Sequence, residues 1–244
     1  MTDLAPAPPP ETVQLRAHPG AAALACPLRW RRSARARLVA LRIDAASGAV
    51  VITLPPEATR RAGLALLRRH AGWVAGRLSA LGPALRLAPG AALPIGDRLH
   101  AVLHDAGQDD GPARIEGGRI LVGGAAETVG PRLRDLLQDE ADRRIRPKVR
   151  QHARLLGVVP GAVRLKDTRS RWASCAPDGT LAFSWRLVMA PDWVLDYVVA
   201  HEVTHLRELN HSARFWAALA TLSPHHLAAQ AWLRARGPAL LRVG

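Results

Sequence analysis

The segment His201-Glu202-Val203-Thr204-His205 constrains the fold of this chain more than any other feature of its sequence. Helix-forming residues surround it from Trp193 to Leu209, after the helix-start signal Pro191-Asp192. On a helix, side chains four residues apart lie on one face about 6 Å apart, so His201 and His205 can bind one metal ion. A random chain of this composition would contain the H-E-x-x-H spacing only about 0.01 times. The fold must therefore contain a helix whose imidazole-bearing face is open to a ligand.

A catalytic zinc site uses three protein ligands and keeps a fourth position open, so the histidine pair needs a third ligand. His211 is the best candidate, because Asn210 tolerates the left-handed conformation that ends a helix and turns the chain back toward the metal. Glu208 is the rival ligand, but it lies about 10 Å along the helix axis from His201. We therefore assign Glu208 to the rim of the site or to contacts behind the ligands, together with Asn210. The pair His225-His226, at the start of a later helix, is a third option.

Glu202 indicates which reaction a metal held by the histidine pair would serve. It directly follows the first histidine, so its carboxylate projects beside the ligands and can accept a proton from a metal-bound water. Tyr197 lies one turn before His201 on the same face and is a candidate donor to a developing oxyanion, with core packing as the alternative. These residues predict Zn²⁺ as the cofactor and a hydrolase in which Glu202 is the general base.

The order of strand-like and helix-like segments predicts an α+β fold in three parts. Residues 1–28 are rich in proline and alanine and are expected to form a disordered leader. Residues 29–128 alternate apolar and polar positions as strands do, and contain one helix. Residues 129–244 begin with a long helix that Pro147 should kink or divide, and end with the helical region that carries the metal pair. The last two parts are separate units or one compact unit.

Several segments outside the histidine pair match a known family. They are Arg171-Trp172-Ala173-Ser174-Cys175, Trp185-Arg186-Leu187 with Ala190-Pro191, Asp196 to Leu206, and Asn210-His211-Ser212 with Phe215-Trp216. With them the chain resembles the YgjP-like (DUF45) zinc metallopeptidases, which are related to the SprT-like and other zincin proteases. The resemblance is dense from Lys166 to Trp216 and looser upstream. It implies a zincin-like catalytic region in residues 129–244 and a peptide or protein substrate.

The chain departs from the family pattern at one position. Ala173 stands where the family usually has glycine. If that position requires a positive φ, alanine costs about 1 kcal/mol there.

Two other functions fit parts of this sequence. The same metal and glutamate could hydrolyse a phosphoanhydride bond of a nucleotide, with arginines binding phosphate, although the chain has no glycine-rich phosphate loop. The other alternative is a basic, non-enzymatic nucleic-acid-binding protein with a structural zinc. A carboxylate beside the ligands argues against it, because structural zinc sites are closed and rich in cysteine.

The net charge of +14 is carried almost entirely by arginine, since Lys148 and Lys166 are the only lysines. The densest cluster, with no acid among its members, is Arg29, Arg31, Arg32, Arg35 and Arg37. Such a cluster either makes a weak contact with nucleic acid or another polyanion, or only solvates a strand edge. Aromatic residues are 4% of the chain, which is few for a surface that stacks on bases.

Cysteine usage and hydropathy indicate the compartment. The two cysteines, Cys26 and Cys175, are far apart in the sequence, and no apolar run approaches the roughly 18 residues of a membrane span. The N-terminal residues lack the pattern of a signal peptide. We therefore expect a cytoplasmic protein that does not contact membranes.

Overall fold

The computed structural model describes residues 11–107, 111–168 and 171–244. The chain divides after Pro83 into two compact units. From the sequence, we expected a boundary between residues 128 and 129, with the parts on either side either separate or joined in one compact unit. Most strands lie in the N-terminal half and most helices in the C-terminal half, which confirms the α+β class. Within the described ranges, no helix combines the length and the apolar character that a membrane span needs.

The first unit is a four-stranded sheet with two helices packed on one face. Its elements are β1 (Glu11–Leu15), β2 (Leu24–Arg32), β3 (Ala40–Asp44), β4 (Ala49–Leu54), α1 (Arg60–Arg69) and α2 (Ala71–Ala80). The strand order is β1-β2-β4-β3, with β2 and β4 parallel and the other pairs antiparallel. Alternate residues of β2 and β4 form the core with the two helices: Cys26, Leu28, Val50, Ile52, Leu67 and Val74.

Two predictions for this unit are corrected by the structure. Strand β1 and the start of β2 lie within residues 1–28, which were expected to be a disordered leader. The prediction is wrong for these strands, because Leu15 and Cys26 supply enough buried apolar surface to pair them, Val13 opposite Cys26. Residues 1–10 lie outside the described part of the chain. The single predicted helix is two helices, which are separated at His70.

The described residues of the second unit form two sheets and four α-helices. The first sheet, in the order β5-β6-β8-β7, consists of β5 (Ala92–Ile95), β6 (Arg98–Asp105), β7 (Arg114–Glu116) and β8 (Arg119–Gly123). The second, in the order β10-β11-β9, consists of β9 (Val163–Lys166), β10 (Ala173–Cys175) and β11 (Leu181–Ser184). The helices are α3 (Val129–Leu156), α4 (Asp192–Thr204), α5 (Ala213–Leu222) and α6 (His226–Leu240), with 3₁₀ turns at Ala126–Thr128 and Trp185–Met189.

Helices α3 and α4 form the centre of this unit. The apolar residues of α3 recur every three or four positions and are buried, which packs α3 against α4 and the second 3₁₀ turn. Pro147 does not divide α3, because Ile145 and Val149 on either side of it are both buried and hold the helix to the core. Most of α4 is buried as well, so the core fixes the position of the helix that carries the histidine pair.

Strand β10 resolves the question raised by Ala173. The backbone of Ala173 pairs with Phe183 of β11 in extended conformation. None of the non-glycine residues that the structure describes has a positive φ. The conformational cost considered for alanine at this position therefore does not arise.

Candidate metal centre

The metal-site helix ends earlier than the sequence predicted. Helix α4 ends at Thr204 with His205 as its C-cap, instead of continuing to Leu209. Three consecutive N–H groups, those of residues 206–208, donate to the carbonyls of Val203 and Thr204 at 2.9–3.1 Å. The chain therefore begins to turn immediately after the second histidine of the pair.

The chain does not turn back toward the metal at Asn210 in the way that the sequence predicted. Asn210 does not adopt a left-handed conformation, since no positive φ occurs at a non-glycine residue in the ranges described. The Asn210 carbonyl instead accepts a hydrogen bond from the Ser212 N–H at 2.7 Å. The tight turns over residues 203–208, followed by this short bond, bring His211 back beside His201.

Three imidazoles converge at this turn. The Nε2 atoms of His201 and His211 are 3.1 Å apart, and one ring nitrogen from each of His201, His205 and His211 lies within 4.8 Å of the others. Metal–nitrogen bonds of about 2.1 Å in a tetrahedral site place ligand nitrogens about 3.4 Å apart. The three histidines can therefore hold one metal ion with small side-chain movements. Glu208 is not part of this group, which agrees with the choice of His211 over Glu208 as the third metal ligand.

Neighbouring groups orient each of the three rings. The Nδ1–H of His205 donates to the Glu208 carbonyl at 3.1 Å, which leaves Nε2 unprotonated for a metal. The Tyr197 hydroxyl lies 3.5 Å from Nδ1 of His201. The Trp216 indole N–H donates to the His211 carbonyl at 3.1 Å, and the two rings are stacked with centroids 5.6 Å apart. Glu208 thus contacts the site through its main chain.

Burial keeps the ring of His201 neutral. Its pKa is lowered to about 4, first by loss of solvent and then by the neighbouring rings of His205 and His211. The pKa of His205 is also lowered, mainly by burial, although its bond to the Glu208 carbonyl acts in the opposite direction. Neutral imidazole is the form that binds a metal, so these rings need not lose a proton to do so near neutral pH.

Phe215 forms an apolar wall behind the three ligands. Its side chain is fully buried, and its ring centroid lies 4.9, 4.6 and 4.7 Å from those of His201, His205 and His211. The Ser212 hydroxyl caps α5 by accepting the Phe215 N–H at 3.3 Å. The cap fixes where α5 starts, and hence where this ring meets the ligands.

Glu202 follows His201 in α4 and is 8% exposed. Burial raises its pKa to about 7, against the opposing effects of a hydrogen bond from the Cys175 backbone N–H and the charge of Arg171. Cys175 belongs to β10, the edge strand of its sheet. This contact was not predicted, because a main-chain donor has no signature in the sequence.

A pocket of about 160 Å³ opens beside Glu202 and His201. Its lining is mostly apolar and comes from β10, the residue before it, α4 and α6: Trp172, Ala173, Tyr197, Val198, His201, Glu202 and Leu233. Tyr197 therefore faces the pocket as well as the first ligand. Burial, followed by the charge of Glu202, raises the pKa of its hydroxyl, while Gln230 and Arg234 lower it, so the phenol stays protonated.

The five clustered arginines all belong to the first unit, whereas the three histidines and Glu202 belong to the second. The side chains of Arg29 and Arg31 are exposed on β2. Arg32 donates to the carbonyls of Pro55 and Pro56 at the end of β4. Arg35 and Arg37 lie in the connection from β2 to β3.

Comparison with known proteins identifies the family. The family model of the YgjP-like metallopeptidase domain matches residues 37–236, a range that contains α4, β10, His211 and most of both units. No curated protein matches the chain. The match confirms the resemblance seen in the sequence and agrees with three converging histidines that could hold a metal. This chain therefore belongs to the YgjP-like family of metallopeptidase domains.

Proposed function

We propose that this chain is a zinc-dependent peptidase in which His201, His205 and His211 hold the metal and Glu202 is the general base. One observation carries the proposal: three imidazoles converge beside a buried carboxylate in a chain of a metallopeptidase family. Three histidine ligands with an open fourth position are a set that catalytic zinc uses. The two free cysteines support a reducing compartment, so we place the enzyme in the cytoplasm.

A bound zinc would supply polarisation of the scissile carbonyl and acidification of water. The Glu202 carboxylate takes the proton of the attacking water and delivers it to the nitrogen of the leaving amine. The Cys175 N–H holds that carboxylate in place while the proton moves. Phe215 excludes water behind the histidines, and the Glu208 carbonyl keeps the His205 ring in the orientation that binds the metal.

Tyr197 acts first as a positioning residue in this proposal. Its hydroxyl lies within 3.5 Å of Nδ1 of His201 and can accept the Nδ1–H, which leaves Nε2 free. Because Tyr197 also faces the pocket, the same protonated hydroxyl can donate to the oxyanion that develops on the substrate. Asn210 contributes its main-chain carbonyl to the turn that returns His211.

The pocket beside Glu202 would receive a substrate side chain next to the scissile bond. Its walls, including Trp172, Val198 and Leu233, favour an apolar side chain of moderate size. Leu233→Trp would fill the pocket from α6 and shift cleavage toward small residues such as glycine and alanine. Leu227→Trp, on an exposed position of the same helix, is the matched control and should leave the cleavage pattern unchanged. Mass spectrometry of cleaved peptide libraries measures both.

The decisive experiment compares the wild-type chain with Glu202→Gln. The amide keeps the shape of the side chain but is not basic, so zinc content and fold should persist while peptide hydrolysis falls by about 10²-fold or more. Elemental analysis, circular dichroism and cleavage of unfolded proteins give the three readouts.

Two outcomes would contradict the proposal. Undiminished peptide cleavage by Glu202→Gln would refute the general-base assignment. Hydrolysis of nucleoside triphosphates by the wild type, with no cleavage of peptides or unfolded proteins, would show that the enzyme acts on phosphoanhydrides instead.

A further inference from the structure

We propose that the open face of the first unit's sheet binds the phosphate backbone of nucleic acid without reading its base sequence. Three arginines define this surface, which we call the arginine face: Arg29 and Arg31 of β2 and Arg42 of β3. The proposal is independent of the peptidase assignment, because every residue of the arginine face belongs to the first unit.

Strand register places the three arginines on one face of the sheet. Arg29 and Arg42 both pair with Val51 of β4, one from each side, and Arg31 pairs with Thr53 two residues further along. Side chains alternate along a strand, so these residues point away from the neighbours that contact the helices. Those neighbours include Trp30 and Ile52, which lie against α1 at Gly63.

The spacing of the arginines suits a chain of phosphates. Two residues along a strand are about 6.6 Å apart, and two strand spacings are about 9.6 Å. The arginine face therefore presents three guanidinium groups across roughly 10 Å, and long side chains can adapt to either helical or extended backbones. Val51 lies between Arg29 and Arg42 in the sheet and is only 9% exposed, whereas both arginines are exposed.

Charge is concentrated in this unit and is poorly neutralised on this face. Residues 1–83 contain twelve arginines and four acids, so they carry +8 of the total +14 in about a third of the chain. On the arginine face, Asp44 pairs with Arg29 at 3.4 Å and with the Ser47 hydroxyl at 2.6 Å. Arg31 and Arg42 have no ion pair with any acid that the structure describes. Such surfaces attract polyanions and release counterions when they bind.

The remaining side chains of the face favour nucleic acid over a membrane. Apart from Val51 and the arginines, the strand residues on this side are small or polar: Thr12, Gln14, Ala25, Pro27, Ala40, Asp44, Ala49 and Thr53. A membrane surface site inserts several large apolar residues. Leu38, in the loop before β3, is exposed, but a single residue of this kind gives little insertion. Trp30 is directed to the helix side, where Arg60 stacks on it at 5.1 Å, so it cannot stack on bases. The contacts are therefore to phosphates, and no base preference is expected.

The arginine face therefore differs from the cluster of five arginines identified in the sequence. Arg42 joins the surface, although Leu38 to Leu41 separate it from the cluster in the sequence. Arg32 leaves it, because its guanidinium is bonded to the proline carbonyls after β4. Arg35 and Arg37, in the adjoining loop, can add longer-range attraction but do not define the surface.

The test measures binding of the full chain to a fluorescently labelled, mixed-sequence DNA duplex at three salt concentrations. If all three arginines contact phosphates, the variant R29Q/R31Q/R42Q flattens the slope of log affinity against log salt by about 2 to 3, near 0.9 per lost contact. The control variant R61Q/R68Q/R69Q removes the same charge from exposed positions of α1 and should flatten the slope by less than about 1.

A second variant guards against structural damage, because R29Q also removes the partner of Asp44. R31Q/R42Q leaves that ion pair intact and should flatten the slope by about 1.8. Thermal melting and zinc content should match the wild type in all variants. Equal slopes for the arginine-face and control variants would overturn the proposal, as would absence of duplex binding at low salt. Binding to vesicles containing anionic lipid, with no binding to DNA, would assign the face to membranes and would also overturn it.

Discussion

Asp196 offers the sharpest test of how the metal-site helix is held in place. It lies on α4, and its Oδ1 atom is 3.0 Å from Nε2 of His152 and 3.4 Å from Nζ of Lys148, both on α3. Burial acts to raise the pKa of Asp196, but the hydrogen bonds and charges of His152 and Lys148 outweigh it, so the pKa is lowered. The ionised carboxylate therefore stabilises the packing of α3 against α4.

Asp196→Asn keeps the shape of the side chain and removes its charge. Hydrogen bonds to a charged group contribute about 1.5–3 kcal/mol when they are largely shielded from water. The amide oxygen can still accept a bond from His152, and Lys148 keeps Asp192 at 2.9 Å, so part of this contribution remains. We expect the free energy of unfolding at neutral pH to fall by about 1–2 kcal/mol.

Asp142→Asn is the matched control on α3. Its carboxylate pairs with Arg146 at 2.6 Å, but both side chains are well exposed, at 38% and 45%. An exposed pair one turn apart contributes about 0.3–0.5 kcal/mol, so this variant should lie close to the wild type. The difference between the two variants isolates the effect of burial.

The assay is denaturant unfolding followed by circular dichroism, with equal metal content, from about pH 7 to about pH 3. Because the folded pKa of Asp196 is below its unfolded value near 3.9, its contribution is full above that value and is lost as the pH falls through the folded pKa. The gap between wild type and Asp196→Asn should therefore shrink in acid. A loss no larger than that of Asp142→Asn, or a gap unchanged in acid, would refute the reasoning.

Three other expectations follow from single contacts. Gly63→Ala should destabilise the first unit by about 1–3 kcal/mol, because its Cβ would lie 2.8 Å from a core side chain. Gly76→Ala places its Cβ in open space and should stabilise the unit by about 0.5–1 kcal/mol. Thermal melting of the two variants measures the sign of each effect. His211→Ala should lose the metal while Glu208→Ala retains it, since Glu208 acts through its carbonyl; elemental analysis decides. Trp216→Phe removes the donor to the His211 carbonyl and should weaken metal affinity about tenfold in a chelator competition.

The parts of the site that could be predicted from the sequence depend on side-chain chemistry at short range. The helical spacing of His201 and His205 and the assignment of His211 rest on residue type and reach, and the structure brings these three rings together. The route of the chain to His211 could not be predicted, because it depends on backbone hydrogen bonds over residues 203–208. Such bonds use main-chain groups that every residue except proline carries, so they leave little trace in the sequence, and the signal at Asn210 was misleading.

The same distinction explains the corrections to the fold. Alternation of apolar and polar positions predicted strands within residues 29–128, where the structure has β3 to β8. The leader prediction failed at β1 because five residues of moderate hydrophobicity gain stability only by pairing with β2, and the composition of residues 1–28 does not show that pairing. Pro147 was expected to kink or divide α3, and it does not divide the helix, because buried residues on both sides of it override local propensity.

The hydrogen bond from the Cys175 backbone to Glu202 has a consequence for how natural and engineered variation is interpreted. Every residue except proline supplies the same main-chain N–H, so position 175 can change its side chain during evolution without losing the contact. A mutational scan would find small apolar replacements tolerated at this half-buried position, and proline would be the replacement that removes the N–H. Tolerance to substitution at an edge strand is therefore a poor guide to whether that strand serves the chemistry.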